Sequence, residues 1–299
     1  MSEVFTNATA ALVTDSTADL PGGMPPFDNV QIVPLIVRFG DEEYRDWLDL
    51  TPQSFYHRLA GSNSTPTTSQ PSPEAFSTVY RRLLDGGYRH VFSLHLSSRV
   101  SGTVQSAQIA AEELGGRVTV IDTRQASAAI GLCLLGVHAR LEAGLDEAGV
   151  REYVDGFIRR SHLVFSVATL EYLQKGGRIG AARAMLGGLL SVKPILGLRD
   201  GEVVPLGRVR GASRVVPALV QELVDGSPAT GPLRLAVADA EAPHQVAALL
   251  EEVRRERPEA VLEISTQLGA VIGTYSGPGA FGMMWVNEPP TDARLGVHA

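Results

Sequence analysis

Short β-rich runs alternate with helix starts through the first half of this 299-residue chain, and that alternation leaves few architectures open. The runs are Ala10 to Val13, Val30 to Phe39, His90 to Leu96 and Arg117 to Ile121. Between them Thr51 precedes Pro52 and Ser72 precedes Pro73-Glu74, each a capping hydroxyl ahead of a proline at the first helical position. After Ser72 the apolar residues Phe76, Val79, Tyr80, Leu83 and Leu84 recur at helical spacing until Gly86-Gly87 ends the run. Strand-helix repetition of this kind predicts a mainly parallel sheet covered by helices on both faces, a three-layer α/β unit.

The rhythm changes further on. A helical pair is expected over Arg124 to Arg160, broken near Ala143-Gly-Leu-Asp146, and strands then dominate: His162 to Val167, Glu202 to Val209, Leu233 to Ala238, Val261 to Ser265, Ala270 to Tyr275 and Phe281 to Val286. A helix at Ala242 to Arg257 separates two of them. The pattern predicts two domains, 1–160 and 161–299, the second an α/β domain with a mixed or antiparallel sheet. The tail after Glu288 is expected to fray.

Composition excludes several classes of function. With 44% hydrophobic and 20% charged residues the chain is globular, and a formal net charge of -7 disfavours nucleic acid and anionic membrane surfaces. The single cysteine, Cys133, sits in the most apolar stretch, Ala128 to Val137, which is too short to span a bilayer and reads as a buried helix. With no basic segment leading into an apolar one at the N-terminus, a cytoplasmic location is expected, without stable membrane insertion.

Nucleotide and metal signatures are missing: no G-x-x-x-x-G-K-[ST], no H-E-x-x-H and no cysteine pair, so no metal or cofactor is expected. Gly277-Pro-Gly279-Ala-Phe-Gly282 fits G-x-G-x-x-G, yet a strand-like run follows where a dinucleotide site needs a helix, so it reads as a glycine turn. Two hydroxyl clusters remain. Ser101-Gly102-Thr103 follows the strand His90 to Leu96 at a helix start, and Thr68-Ser69 precedes the helix that Ser72 opens. Their donors can converge on one carboxylate or phosphate, or Ser101 and Ser72 can simply cap their helices. From Tyr172 to Leu198 the chain carries Lys175, Arg178, Arg183 and Lys193 and no acid, either a docking face for a negative partner or a solvated basic surface.

Taken in order, Val13-Thr-Asp-Ser-Thr-Ala-Asp-Leu20, Thr68-Ser-Gln-Pro71, Ser98 to Thr103, Val120-Ile-Asp122, Lys175-Gly-Gly-Arg-Ile179 and Ser191-Val-Lys-Pro194 resemble the DegV family, the fatty-acid-binding subunits of bacterial fatty acid kinase. The resemblance implies a two-domain DegV-like protein that buries an acyl chain and presents its carboxyl group to a separate kinase catalytic subunit, which forms the acyl phosphate. Carried over by motif, Thr68 and Ser101 hold the carboxylate with Arg178 and Arg210 nearby, supported by Ser69, Gly102 and Thr103, while Lys175 and Lys193 face the kinase. Many relatives place a histidine in the motif matched by Gly273-Thr-Tyr-Ser-Gly277, where this chain has Tyr275, a hydroxyl that is never cationic.

The expectation is therefore a non-catalytic carrier of a long-chain fatty acid. Burying roughly a dozen methylenes at about 0.8 kcal/mol each contributes on the order of 10 kcal/mol before ordering costs. Small residues at Ala126, Ala128, Ala129 and Gly131 would leave room for the tail. Two alternatives stand beside this reading: a serine esterase or thioesterase using Ser101 with His95 and Asp122, and a carrier of another amphiphile with no kinase partner.

Overall fold

The computed structural model describes residues 3–62, 65–186 and 192–297. In the first half the order is β1 (Val4–Phe5), β2 (Ala10–Asp15), β3 (Val30–Val33), β4 (Ile36–Phe39), β5 (Glu42–Arg45), α1 (Pro52–Gly61) and β6 (Thr67–Ser69). It continues with α2 (Pro73–Asp85), β7 (His90–His95), α3 (Thr103–Glu112), β8 (Val118–Asp122), α4 (Ala128–Glu142), β9 (Leu145–Asp146) and α5 (Glu147–Arg160). The second half runs β10 (Ser161–Ser166), α6 (Glu171–Lys175), β11 (Val192–Arg199), β12 (Glu202–Arg210) and α7 (Val215–Asp225). It ends with β13 (Leu233–Asp239), α8 (Pro243–Glu256), β14 (Ala260–Gln267), α9 (Ala270–Ser276) and β15 (Phe281–Val286).

The expected α/β class and its two sheets are both present. Strands β3-β2-β7-β8 form a wholly parallel sheet. Strands β12-β11-β10-β15-β13-β14 form a mixed sheet in which β13 and β14 alone pair in parallel. The sequence signals for α1 and α2 act as read: Thr51 Oγ1 accepts from the Ser54 amide and Ser72 Oγ from the Ala75 amide. Gly277 (φ 71°) and Gly279 (φ 79°) form a turn into β15, so the dinucleotide-like pattern is indeed a glycine turn.

Several expectations are corrected. Val30 to Phe39 is two strands in two sheets, because Pro34 between them has no N–H to continue a ladder. The second piece, β4, pairs antiparallel with β5 and β6 in a small three-stranded sheet with no counterpart in the sequence reading. Ala270 to Tyr275 is helix α9 and not a strand, while β11 and α7 are elements the reading lacked. Among the described residues the tail after Glu288 is held in place: Leu295 donates to the Glu263 carbonyl and accepts from the Ser265 amide, returning the chain to β14.

Helix α4 joins the halves. Nearly every side chain on it is buried, the mark of a helix enclosed on all sides, and it packs against β2 and β7 on one side and β13, β14 and β15 on the other. Gly131 permits this approach, since a Cβ there would lie 2.8 Å from Ile264 Cδ1. Gly131, Ala128 and Ala129 thus serve close packing, and only Ala126 of the small residues borders open space. The largest apolar core is continuous through both halves, and Cys133 is inside it. We propose the division of the chain at residue 160, where α5 gives way to the first strand of the mixed sheet.

Candidate functional site

Parallel α/β sheets open a crevice at the carboxyl ends of their strands, where the chain must turn into the next helix. Here the loops after β7 and β8 bring Leu96, Val100, Ser101, Ala126 and Ser127 to that edge. The mixed sheet faces them. Side chains alternate along β10, so Leu163 and Phe165 point to this space while Val164 packs in the second core with Leu219 and Trp285. Between the two sheets lies a cleft that encloses about 950 Å³ of space, open solvent at its mouth included.

The lining is apolar with a few polar groups: Thr68, Ser101, Ser127, Arg178, Tyr275 and Ser276. Thr68 occupies the middle of β6, opposite Val37, and its Oγ1 lies 2.5 Å from the Tyr275 hydroxyl. Ser101 sits one residue ahead of the N-cap Gly102 of α3, and its Oγ accepts from the Thr103 amide (3.3 Å) and pairs with Thr103 Oγ1 (2.9 Å). It therefore does not cap α3 in the ordinary way.

Arg178 holds its guanidinium 5.0 Å from the Tyr275 ring centre, a cation-π distance. Its Nε donates to the Val100 carbonyl (3.1 Å) and its Nη1 to that of Gly176 (2.9 Å), which fixes it across the gap between the halves. Gly176 in turn leaves room for Tyr275, because a Cβ there would come 2.3 Å from Cδ1 of its ring. The phenol is thus held between Gly176, Arg178 and Thr68.

Four of the five residues assigned to the carboxylate line this one cavity: Thr68, Ser101, Arg178 and Tyr275. Arg210 does not. It is exposed at the end of β12 and paired in register with Val192. Ser69, Gly102 and Thr103 stand behind the lining, with the Gln70 side chain lying against Gly102. Lys175 is exposed and ion-paired with Glu171 (2.6 Å), and Lys193 donates to the Ala168 carbonyl (3.0 Å). Ser191 lies outside the described residues. Ser127 and Ser276 are lining hydroxyls the sequence reading missed; Ser127 follows β8 at φ 55°, a backbone state that nothing in its flanking residues announces.

The hydrolase arrangement is not assembled. His95 is wholly buried, with Nδ1 2.9 Å from Asp15 and Nε2 2.7 Å from Ser93, which itself bonds Tyr80. Asp122 accepts from the Ser98 hydroxyl at 2.5 Å. Among the described residues the Ser101 hydroxyl is bonded to Thr103, and neither His95 nor Asp122 is placed on it to act as a base. Among the described residues no cluster of His, Cys, Asp or Glu is suited to a metal ion, and no helix is long and apolar enough to cross a membrane.

Comparison with known proteins sets this geometry in a family. The chain is 38% identical over 278 residues to a DegV domain-containing protein of Streptomyces coelicolor, covering 92% of this chain and 97% of that one. It is 33% identical over 277 residues to a protein of Thermotoga maritima named fatty acid-binding protein, covering 91% and 95%. Among solved structures, a DegV family protein from Thermus thermophilus described by its fatty acid binding superposes with a TM-score of 0.88 at 40% identity, covering 94% of this chain and all of that one. A family model described as uncharacterised DegV proteins matches residues 9–288, and the chain belongs to the DegV family.

Proposed function

We propose that this protein binds a long-chain fatty acid in the inter-sheet cavity and presents its carboxyl group to a separate kinase catalytic subunit, which forms the acyl phosphate. The observation that carries the reading is one apolar cavity with Thr68, Ser101 and Tyr275 hydroxyls on its wall and the Arg178 guanidinium against the tyrosine ring. A buried carboxylate is tolerated only when fully hydrogen-bonded, and hydroxyls beside a guanidinium supply that. The fatty-acid-binding relatives of Thermotoga maritima and Thermus thermophilus support the ligand class. The kinase step rests on the motif resemblance, with Lys175 and Lys193 as the residues that face the kinase.

In this reading Thr68 and Ser101 donate to the carboxylate, and Tyr275 adds a third hydroxyl. Arg178 balances the charge, and Arg210 acts at the surface and not on the bound head. The sequence carries no G-x-x-x-x-G-K-[ST] signature, and the test is acyl phosphate formation from ATP and a long-chain fatty acid. It should appear with the kinase catalytic subunit and stay at background with either protein alone. Turnover by this chain alone, or hydrolysis of a chromogenic ester lost in Ser101→Ala, would overturn the carrier reading.

Tyr275→Phe isolates the phenol. Loss of one hydrogen bond to a charged group, about 1.5–3 kcal/mol, predicts roughly 10- to 100-fold weaker fatty acid binding by fluorescence titration. An unchanged affinity would remove Tyr275 from the head site.

A further inference from the structure

We propose that Asp19 and Asp46 are a positioning pair that seats helix α9, and with it Tyr275, against the cavity; only the identity of the ligand rests on the reading above. Helix α9 supplies Val271, Ile272, Tyr275 and Ser276 to the cavity wall. Its leading amides are bound by carboxyls from the other half of the chain: Gly269 N–H donates to Asp19 Oδ1 (2.8 Å) and Ala270 N–H to Asp46 Oδ1 (2.9 Å). The second oxygen of Asp19 accepts from the Ser127 hydroxyl at 2.6 Å, and Ser127 lines the cavity as well. One buried carboxyl therefore ties two parts of the cavity wall together.

The backbone is strained where these contacts meet. Asp19 (φ 46°), Trp47 (φ 66°) and Ser127 (φ 55°) all adopt the left-handed region that non-glycine residues rarely enter. Gly269 is obligatory between them, since a Cβ would lie 2.4 Å from Trp47 Nε1 and 2.9 Å from Asp19 Oδ1. Three strained residues converging on one helix start indicate that the placement of α9 is enforced by its surroundings and not by its short length.

The pair also carries little compensating charge. Burial pushes Asp46 up to about 7 and Asp19 well above the usual carboxylate range, against the pull of the Ser16 hydroxyl and the helix amides on Asp46 and of Ser127 and Gly269 on Asp19. The titratable groups facing them are Asp15 with its partner His95 and Tyr56 of α1, which donates to the Leu268 carbonyl and in turn feels Asp239, the last residue of β13, and Glu241. Among the described residues neither carboxyl forms an ion pair with a lysine or arginine. Because the folded pair holds its proton more tightly than the unfolded chain, its contribution to stability is full at low pH and is lost as pH rises from about 4 through neutrality, the burial of charge outweighing the amide bonds that favour the ionised form.

Hydrogen exchange over residues 269–276 tests the seat without any ligand. Asp46→Ala should speed exchange there at least tenfold at constant pH, while Asp46→Asn, which keeps the acceptor and cannot ionise, retains wild-type protection. Carboxyl-¹³C oleate is the binding probe: wild-type affinity should fall several-fold more between pH 6 and pH 8.5 than that of Asp46→Asn. Unchanged exchange in Asp46→Ala, or parallel pH profiles for wild type and Asp46→Asn, would overturn the proposal. If oleate fails to bind wild type at every pH, the fatty-acid reading falls, and the exchange arm still decides the positioning pair.

Discussion

Replacing Thr68 and Ser101 together by alanine should weaken fatty acid binding by about 100-fold or more while the protein stays folded. Each hydroxyl that donates to a carboxylate contributes on the order of 1.5–3 kcal/mol, so two lost donors account for at least two decades in affinity. Neither hydroxyl carries the fold: Thr68 bonds Tyr275 through its side chain, and Ser101 bonds only its neighbour Thr103. Both residues are half-buried and each loses one hydroxyl hydrogen bond, a stability cost of about 0.5–1.5 kcal/mol per bond that thermal unfolding can verify. Isothermal titration with a long-chain fatty acid measures the loss, and an affinity within threefold of wild type would remove both residues from the head site.

Arg234→Met should be the most damaging single change to stability. The guanidinium is fully buried on β13, bonded to Glu263 at 2.7 Å, to Glu288, and to the Leu132 carbonyl of α4 at 2.8 Å. Tyr153 of α5 donates to the same Glu288 at 2.8 Å, so the cluster binds the helices of the first half to the sheet of the second. Removing the guanidinium leaves the buried Glu263 without a cation and leaves Glu288 with only its longer contacts to Arg160 (3.3 Å) and Arg140 (3.5 Å), a cost of about 3–5 kcal/mol. Midpoint temperature should drop on the order of 10 °C. Adding Glu263→Gln and Glu288→Gln should recover part of the loss, since the penalty comes from unpaired charge; a triple variant no better than Arg234→Met would refute that cause.

The parts of the fold that local chemistry dictates were readable from the chain. Thr51-Pro52 and Ser72-Pro73 announce α1 and α2, and the change from alternating elements to dense strands marks the passage to the mixed sheet. What escaped depends on distant partners. Helix α9 contains Val271, Ile272, Thr274 and Tyr275, residues that favour strands, and becomes a helix where Asp19 and Asp46 accept the amides at its start. The small sheet that carries Thr68 exists because Pro34 ends one strand and lets β4 leave for another sheet.

The site was legible to a similar degree. Thr68, Ser101, Arg178 and Tyr275 come from four separate segments, each unremarkable alone, and all four line one cavity. Arg210 shows the limit of reading by motif, for a motif fixes a position in the chain and not the direction of a long, exposed side chain.

Native mass spectrometry of the protein as purified asks most directly whether an acyl chain fills the space between the two sheets. One long-chain fatty acid per chain, released on denaturation and identified by its mass, is the predicted result. A protein that emerges free of any acyl compound, and stays so after incubation with excess oleate, would contradict it.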